Sequence, residues 1–292
     1  MNIYHEQSKN VLKTWSLMIV FLVVVIAIGF IFAQVYQNSF ILYIAVGFSI
    51  LMNIFSYWFS DKIILKMYKA QEVTDGSHPD LYNIVENLSI TAGLPMPKVY
   101  VIPEQAPNAF ATGRNKNHAA VAVTSGMLQL LNRNELEGVI AHELAHIGNR
   151  DILLQTVVVV LVGFISILAD MFLHSAFWGG GRDNDRGSNP ILMIVGIAMA
   201  ILAPIAVTVI QLAISRKREY LADATGALLT RYPEGLASAL EKIGMYGGRL
   251  PRANQATAHL FISNPFGMKK MATIFATHPP LENRIRILRG MK

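Results

Sequence analysis

The chain contains 292 residues and has a formal net charge of +6; 53% of the residues are hydrophobic and only 15% are charged. Soluble globular domains contain about 25% charged residues, so this composition excludes an ordinary water-soluble protein. Charged residues are absent from residues 14–60, 152–169 and 187–215, which predicts membrane-spanning segments joined to water-exposed parts. The sequence has no cysteine, which excludes disulfide bonds, thiolate metal ligands and a cysteine nucleophile.

Four membrane-spanning helices are predicted, because a helix of roughly 20 apolar residues crosses a bilayer core about 30 Å thick. In chain order these spans are Trp15 to Ala33, Phe40 to Phe59, Ile152 to about Leu173, and Ile191 to Ile214. A cleavable signal peptide is the alternative interpretation of the first span. The length of that span, the lack of a clear cleavage site and the second span directly after it favour a membrane helix.

The basic residues predict how the chain is oriented in the membrane. They precede the first and third spans and follow the second and fourth: Lys9, Lys13, Lys62, Lys66, Lys69, Arg150, Arg216, Lys217 and Arg218. Cytoplasmic flanks of membrane helices carry an excess of Lys and Arg, so both termini and both water-exposed parts are expected in the cytoplasm. Nucleic-acid binding is the alternative explanation for a basic chain, but topology explains these positions, and no nucleic-acid partner is expected.

These boundaries divide the chain into two membrane segments and two cytoplasmic parts. In order they are 1–60 with the N-terminal tail and spans one and two, 61–151 with the motif helix described below, 152–215 with spans three and four, and 216–292 with a helical part. Within the first cytoplasmic part the pattern predicts an amphipathic helix over Asp80–Ala92, strands over Lys98–Ile102 and Ala119–Thr124, and strand or loop from Asn108 to Gly113.

A further helix of this part carries the strongest chemical motif. Asn132, followed three residues later by Glu135, is a variant of the capping box and predicts the start of a helix that runs through Ile147. That helix contains the pattern H-E-x-x-H as His142-Glu143-Leu144-Ala145-His146. Its two histidines point to one face and can bind one zinc ion, while Glu143 lies beside that face, placed to take a proton from water. A helix with two hydrogen-bonded histidines and no metal is the alternative.

Catalytic zinc usually has three protein ligands, so a third ligand must lie elsewhere in the chain. The metzincin continuation is absent, because Asn149 and Ile152 occupy the positions of its glycine and histidine. A downstream carboxylate is the remaining common solution. The aspartates at the far end of the membrane hairpin are about a membrane thickness away, which excludes Asp170, Asp183 and Asp185.

Glu219 is the predicted third ligand. If the helices on either side of the hairpin both continue straight out of the bilayer, His146 stands about 9 Å and Glu219 about 6 Å above it, at similar heights. Asp223 lies one helical turn after Glu219 and is therefore placed to orient a ligating histidine. A solvated acidic helix face is the alternative for these two carboxylates.

The chain resembles the HtpX membrane zinc metalloproteases, which are related to the CAAX prenyl-protein endopeptidases. The resemblance covers nearly the whole chain and includes four motifs in order: Asn108-Ala109-Phe110-Ala111-Thr112-Gly113, His142-Glu143-Leu144-Ala145-His146, Glu219-Tyr220-Leu221-Ala222-Asp223, and Thr277-His278-Pro279-Pro280 followed by Arg284. It implies proteolysis of misfolded or damaged membrane proteins on the cytoplasmic side of the bacterial inner membrane, as part of quality control under stress.

The resemblance also implies roles for residues outside the zinc motif. It places His278 near the active site, where the imidazole donates to the oxyanion; a histidine fixed structurally between its neighbours is the alternative. Arg284 is expected to pair with a carboxylate such as Asp223, with a plain surface arginine as the alternative. Asn108, in the first motif, is expected to contact substrate.

The strand Ala119–Thr124 is expected to form the edge of the sheet above the zinc helix. Its small alanines leave the main chain accessible, so an extended substrate adds to the sheet by main-chain hydrogen bonds, and Ala122 offers its N–H to that substrate. A buried core strand is the alternative interpretation.

Together these observations predict an α+β, zincin-like (gluzincin) metalloprotease domain on a four-helix transmembrane bundle. One Zn²⁺ per chain is expected on His142, His146 and Glu219, with Glu143 as general base. The expected partners are polypeptide substrates, chiefly membrane proteins, and the lipid bilayer. Two alternatives are a peptidase of lipid-modified substrates, and a membrane scaffold or transporter with a structural zinc ion.

Overall fold

The computed structural model describes residues 3–35, 37–74, 76–178, 216–246, 248, 257–263 and 279–291. The chain begins with two long helices, α1 (Ile3–Val35) and α2 (Phe40–Met67), which pack against each other. Within them, Asn10–Ala27 and Phe40–Met67 are long and apolar enough to cross a membrane. The first two predicted spans are therefore confirmed as apolar helices of sufficient length.

A third helix, α6 (Asp151–Trp178), packs against both α1 and α2 and contains the third predicted span. One buried apolar cluster joins α6 to α1 through Met18, Phe21, Leu153, Val157 and Leu161. Asn53 of α2 adds a polar contact, since its Nδ2 donates to the carbonyl oxygen of Met18 at 3.2 Å. The fourth predicted span, Ile191 to Ile214, lies outside the described residues, so three helices of the predicted bundle are described.

A four-stranded sheet lies between α2 and the motif helix in the sequence. Its strands are β1 (Gln71–Glu72), β2 (Lys98–Ile102), β3 (Ala109–Asn115) and β4 (His118–Thr124). Their order in the sheet is β1-β2-β4-β3, with β2 and β4 parallel and the other two pairs antiparallel. Helix α3 (Pro79–Ala92) separates β1 from β2 in the sequence and ends at Gly93, whose φ of 64° is left-handed. This helix and the strands agree with the sequence pattern.

Strand β4 is an interior strand, so the prediction that Ala119–Thr124 forms the edge of the sheet is wrong. Ala122 is paired with Tyr100 on one side and with Phe110 on the other. Every residue from Ala119 to Thr124 is buried. A strand that is covered on both faces needs apolar side chains at successive positions, which explains the run Ala-Ala-Val-Ala-Val. Among the described strands, β3 forms the edge on this side of the sheet.

The motif helix α5 (Arg133–Gly148) packs on the sheet, on α3 and on two later helices, α7 (Arg216–Thr230) and α8 (Pro233–Tyr246). The other described helices are α4 (Ser125–Leu130) and α9 (Leu281–Arg289), and a short 3₁₀ turn covers Ala258–Leu260. The predicted capping box begins α5, since the Asn132 side chain accepts from the N–H of Glu135 at 3.0 Å and Glu135 accepts from the N–H of Asn132 at 2.9 Å. Glu135 also accepts from Ser238 and Lys242 of α8, so the cap fixes a second helix.

Helices α5 and α6 meet at a sharp corner with an angle of 84° between them. Arg150 allows this corner by adopting a left-handed backbone conformation with a φ of 59°. The expectation that the motif helix continues straight into the third span is therefore wrong. The corner turns the first residue of α6, Asp151, back towards the end of α5.

Candidate metal centre

The side chains of His142, His146 and Glu219 converge on one point, with their ligand atoms within 4.8 Å of one another. The two Nε2 atoms are 3.2 Å apart. Oxygens of Glu219 lie 3.9 Å from Nε2 of His142 and 3.6 Å from Nε2 of His146. Ligands about 2.0–2.1 Å from a tetrahedral zinc ion are about 3.4 Å apart, so these separations suit such an ion. All three side chains are buried, with exposed fractions of 1%, 4% and 1%.

Helix α7 brings Glu219 to this position because Gly226 lets α7 approach α5 closely. A Cβ atom on Gly226 would lie 3.0 Å from the backbone nitrogen of His142, closer than nearly all real Cβ contacts. Glu219 lies seven residues before Gly226 and therefore on the same face of α7. The close approach at Gly226 thus sets the distance between the carboxylate and the histidines.

Asp223 and Arg284 orient His142. Nδ1 of His142 lies 3.0 Å from Oδ1 of Asp223. Arg284 donates to both oxygens of Asp223 at 2.8 and 2.7 Å and to the carbonyl oxygen of Ile262 at 3.0 Å. Burial by itself raises the pKa of Asp223, but the charge of Arg284 and the hydrogen bonds from His142 and Arg284 outweigh burial and lower that pKa to about 2. Burial also lowers the pKa of His142, which favours the neutral imidazole that a metal ion requires.

Asp151 orients His146, a contact that the sequence analysis missed. Oδ2 of Asp151 lies 3.0 Å from Nδ1 of His146. In a straight helix, residue 151 would lie about 7.5 Å along the axis from His146 and about 140° around it, so helical spacing gives no sign of this contact. The corner between α5 and α6 creates it. The only signal in the sequence is an acidic residue at the start of the third apolar run.

Glu143 is buried beside this group, with an exposed fraction of 2%, and is not one of the three converging ligands. Burial raises the pKa of Glu143 to about 7, against the opposing effects of His146 and of a hydrogen bond with the backbone of Ala111. A carboxyl group with a pKa near neutrality can both accept and return a proton at physiological pH.

The remaining predicted site residues have other positions. Asn108 is buried at the start of β3, where its Nδ2 donates to the carbonyl oxygen of Ser263 at 3.3 Å and its Oδ1 accepts from the N–H of Ala109 at 3.1 Å. These bonds tie the segment 257–263 to β3, and a substrate contact of Asn108 stays a prediction. Ala122 lies inside the sheet, so its N–H does not face a substrate. His278 lies outside the described residues.

Comparison with known proteins identifies the family. The sequence profile of peptidase family M48 matches residues 76–292. The chain belongs to peptidase family M48. A relative named "Protease HtpX homolog" from Desulfatibacillum aliphaticivorans is 57% identical over 255 residues, which cover 87% of this chain and 81% of the relative. One of the same name from Caldanaerobacter subterraneus subsp. tengcongensis is 48% identical over 295 residues, 99% of this chain and 98% of the relative.

A solved structure supports the fold. The chain is similar to the crystal structure of S. mikatae Ste24p, with a TM-score of 0.51 and 19% sequence identity. The match covers 98% of this chain and 67% of the Ste24p chain. The chain thus has the helix-rich M48 metalloprotease fold with a small sheet. Membership of family M48 makes the protein a metallopeptidase, and the relatives together with two apolar helices make it a membrane protein. The predicted resemblance to the HtpX proteases is confirmed.

Proposed function

We propose that this metallopeptidase is a zinc-dependent endopeptidase that degrades misfolded or damaged membrane proteins from the cytoplasmic side of the bacterial inner membrane. The observation that carries the proposal is the buried group of His142, His146 and Glu219 with Glu143 beside it. Two imidazoles and one carboxylate are typical ligands of catalytic zinc. Family membership favours this function over a scaffold or transporter with a structural metal ion.

His142 and His146 would hold the ion through Nε2, and Glu219 through its carboxylate. A zinc ion bound there supplies a Lewis acid for the scissile carbonyl group and lowers the pKa of water to about 7. The carboxylates of Asp223 and Asp151 accept hydrogen bonds from Nδ1 of His142 and Nδ1 of His146. These bonds direct both Nε2 lone pairs to the common point.

Glu143 is the proposed proton carrier. Its carboxylate takes a proton from the attacking water and passes the proton to the amine nitrogen that leaves when the peptide bond breaks. The backbone of Ala111 in β3 is hydrogen bonded to Glu143. Because β3 is the edge strand of the described sheet, we place the extended substrate beside β3 and not beside the interior strand β4, beyond the point where the Ala109 carbonyl oxygen accepts from the N–H of Ile262.

The position of the site relative to α1 supports membrane-protein substrates. Asn10 is the first residue of the apolar segment Asn10–Ala27 and contacts Asp151, which in turn contacts the proposed ligand His146. The metal centre is therefore close to the end of a membrane span. An unfolded segment that emerges from the bilayer reaches the reacting groups after a short distance. The Lys/Arg bias of the flanks supports a cytoplasmic position for the Asn10 end of this span.

Casein degradation by the purified full-length protein in detergent tests the proposal. Glu143→Gln should abolish cleavage while zinc content stays at one ion per chain, because this variant removes the proton carrier and keeps the ligands. Glu219→Gln should lower zinc affinity itself, since an amide is a poor substitute for a carboxylate ligand. Glu137→Gln is the matched control, because Glu137 lies on the same helix, is half-buried and pairs with Arg133. Normal cleavage by Glu143→Gln at full zinc content would refute the mechanism.

A further inference from the structure

We propose that Asn10 of membrane helix α1 is a positioning residue for the metal ligand His146, acting through Asp151. The inference rests on the proposed function, because it takes His146 as a zinc ligand. It extends the metal centre into a part of the chain that lies before the M48 match, which begins at residue 76. The first membrane helix is then a component of the catalytic apparatus as well as an anchor.

The contacts form a continuous buried chain. Oδ2 of Asp151 bonds Nδ1 of His146 at 3.0 Å, while Oδ1 of Asp151 accepts from Nδ2 of Asn10 at 2.6 Å. The same Nδ2 lies 3.3 Å from the carbonyl oxygen of Asn149, and Arg218 approaches Oδ1 of Asp151 at 3.4 Å. All five residues are buried, so water does not compete for these groups.

Each histidine of the motif contacts an aspartate, and each aspartate is held by a hydrogen-bond donor from a different part of the molecule. Asp223 is fixed by two hydrogen bonds from Arg284, which belongs to α9 in the M48 region. Asp151 presents one oxygen to His146 and the other to Asn10. A carboxylate that is held at both oxygens has a fixed plane, and this fixes the ring of His146. Without the Asn10 amide, Oδ1 of Asp151 keeps only the longer contact of 3.4 Å with Arg218, so the carboxylate is held less firmly and the direction of the His146 ring is less well fixed.

The location of Asn10 argues that the amide has a specific use. Asn10 lies at the start of an apolar segment, where a buried amide without hydrogen-bond partners is destabilising. Its side-chain oxygen lies 3.4 Å from Arg218, and its side-chain nitrogen donates to Asp151 and Asn149. Both ends of the amide therefore contact the helices around the metal centre. A residue needed only for packing between membrane helices would face another apolar helix, as Asn53 does.

The test compares Asn10→Leu with Asn53→Leu in the full-length protein in detergent. Both variants replace a buried asparagine of a membrane helix by an apolar side chain of similar size, but Asn53 contacts only the Met18 carbonyl among the hydrogen bonds described. Zinc affinity is measured by competition with a chromogenic chelator, and the absorption spectrum of bound Co²⁺ reports the ligand geometry. Loss of an outer hydrogen-bond partner typically lowers metal affinity roughly 10- to 100-fold. We expect a loss of about tenfold and an altered Co²⁺ spectrum for Asn10→Leu, and neither change for Asn53→Leu.

A double variant shows whether Asn10 acts through Asp151. Asp151→Asn should weaken zinc binding at least as much as Asn10→Leu, and Asn10→Leu should add little in the Asp151→Asn background. Unchanged zinc affinity in Asn10→Leu, or full additivity with Asp151→Asn, would overturn the inference. If Asn10→Leu does not fold, Asn10→Ala, which removes the same donor without adding bulk, replaces it in the comparison. If the wild-type protein binds no zinc, the proposed function is refuted. If the wild-type protein binds zinc and Asn10→Leu binds it equally well, only the inference about Asn10 is refuted.

Discussion

Replacing Arg284 by Met removes the buried positive charge that compensates Asp223. Arg284 has an exposed fraction of 0%, and Asp223 has one of 1%. The guanidinium makes two short hydrogen bonds to Asp223 and one to the Ile262 carbonyl, and it lies 3.7 Å from Glu219. Methionine keeps most of the apolar stem of arginine. The variant therefore leaves a buried carboxylate without its partner while it disturbs packing little.

The expected loss of stability is large. Removal of one partner of a buried ion pair destabilises a protein by about 3–5 kcal/mol. For a folded part of roughly 150–250 residues, each kcal/mol lowers Tm by about 2–4 °C, so a decrease of roughly 6–20 °C is expected. Arg284→Met combined with Asp223→Leu should recover part of this stability, because the Asp223 charge is removed together with its partner, while Glu219, 3.7 Å from Arg284, still loses a neighbouring positive charge. The double variant should nevertheless bind zinc less tightly than the wild type, since His142 has lost its orienting carboxylate.

The same pair predicts how stability depends on pH. The folded-state pKa of Asp223 is about 2, below its ordinary value of 3.8. A group with a lowered pKa contributes stability that is present above its ordinary pKa and is lost as the pH falls through the folded value. Acid should therefore destabilise the wild-type protein between about pH 4 and pH 2 through this group. In Arg284→Met the largest effect that lowers the pKa of Asp223 is removed, so that pKa rises relative to the wild type and acidification should destabilise the variant less.

Thermal unfolding followed by circular dichroism at pH 7, in detergent with a chelator present, measures the effect without zinc. Arg286→Met is the matched control, because Arg286 lies on the same helix and is exposed. The free energy of unfolding of this control should change by no more than the roughly 0.5 kcal/mol that is usual for surface substitutions. A loss of less than about 1 kcal/mol in Arg284→Met would refute the view that the pair is a buried, mutually compensated unit.

Two further predictions concern helix packing and orientation. Gly226→Ala should destabilise the protein by about 1–3 kcal/mol and weaken zinc binding, because the added methyl group pushes α7 away from the backbone of α5. Gly47→Ala is the control, because a Cβ at Gly47 meets no atom within 4 Å; it should be neutral or stabilising by up to about 1 kcal/mol. Equal changes in Tm for the two variants in thermal unfolding would contradict the packing argument. In this cysteine-free chain, Ser39→Cys should react with an impermeant maleimide added outside intact cells, and Ser77→Cys should not. Outside labelling of Ser77→Cys would reverse the proposed orientation.

Several features followed from the sequence because short-range geometry controls them. The first two spans are charge-free runs, and α5 begins at a capping box whose two residues are three apart. The spacing of His142 and His146 places them on one helix face whatever surrounds that helix. Asp223 stands in the same relation to Glu219. Regular helix geometry was enough to predict which side chains of one helix share a face, whereas the similar heights expected for His146 and Glu219 assumed a straight continuation of α5 into α6 that the fold does not have.

Other features depended on how the elements pack, which local patterns do not encode. A run of small apolar residues indicates a buried strand, but only the sheet order shows that β4 has a neighbour on each side and that β3 is the edge. Asp151 reaches His146 because the chain turns by 84° at a left-handed residue, and straight helix geometry would have placed it elsewhere. Asn10 is separated from Asp151 by more than a hundred residues, and only the packing of α1 against α6 brings their side chains together. Helical periodicity extends over a few residues, whereas contacts between distant segments are decided by burial over the whole fold.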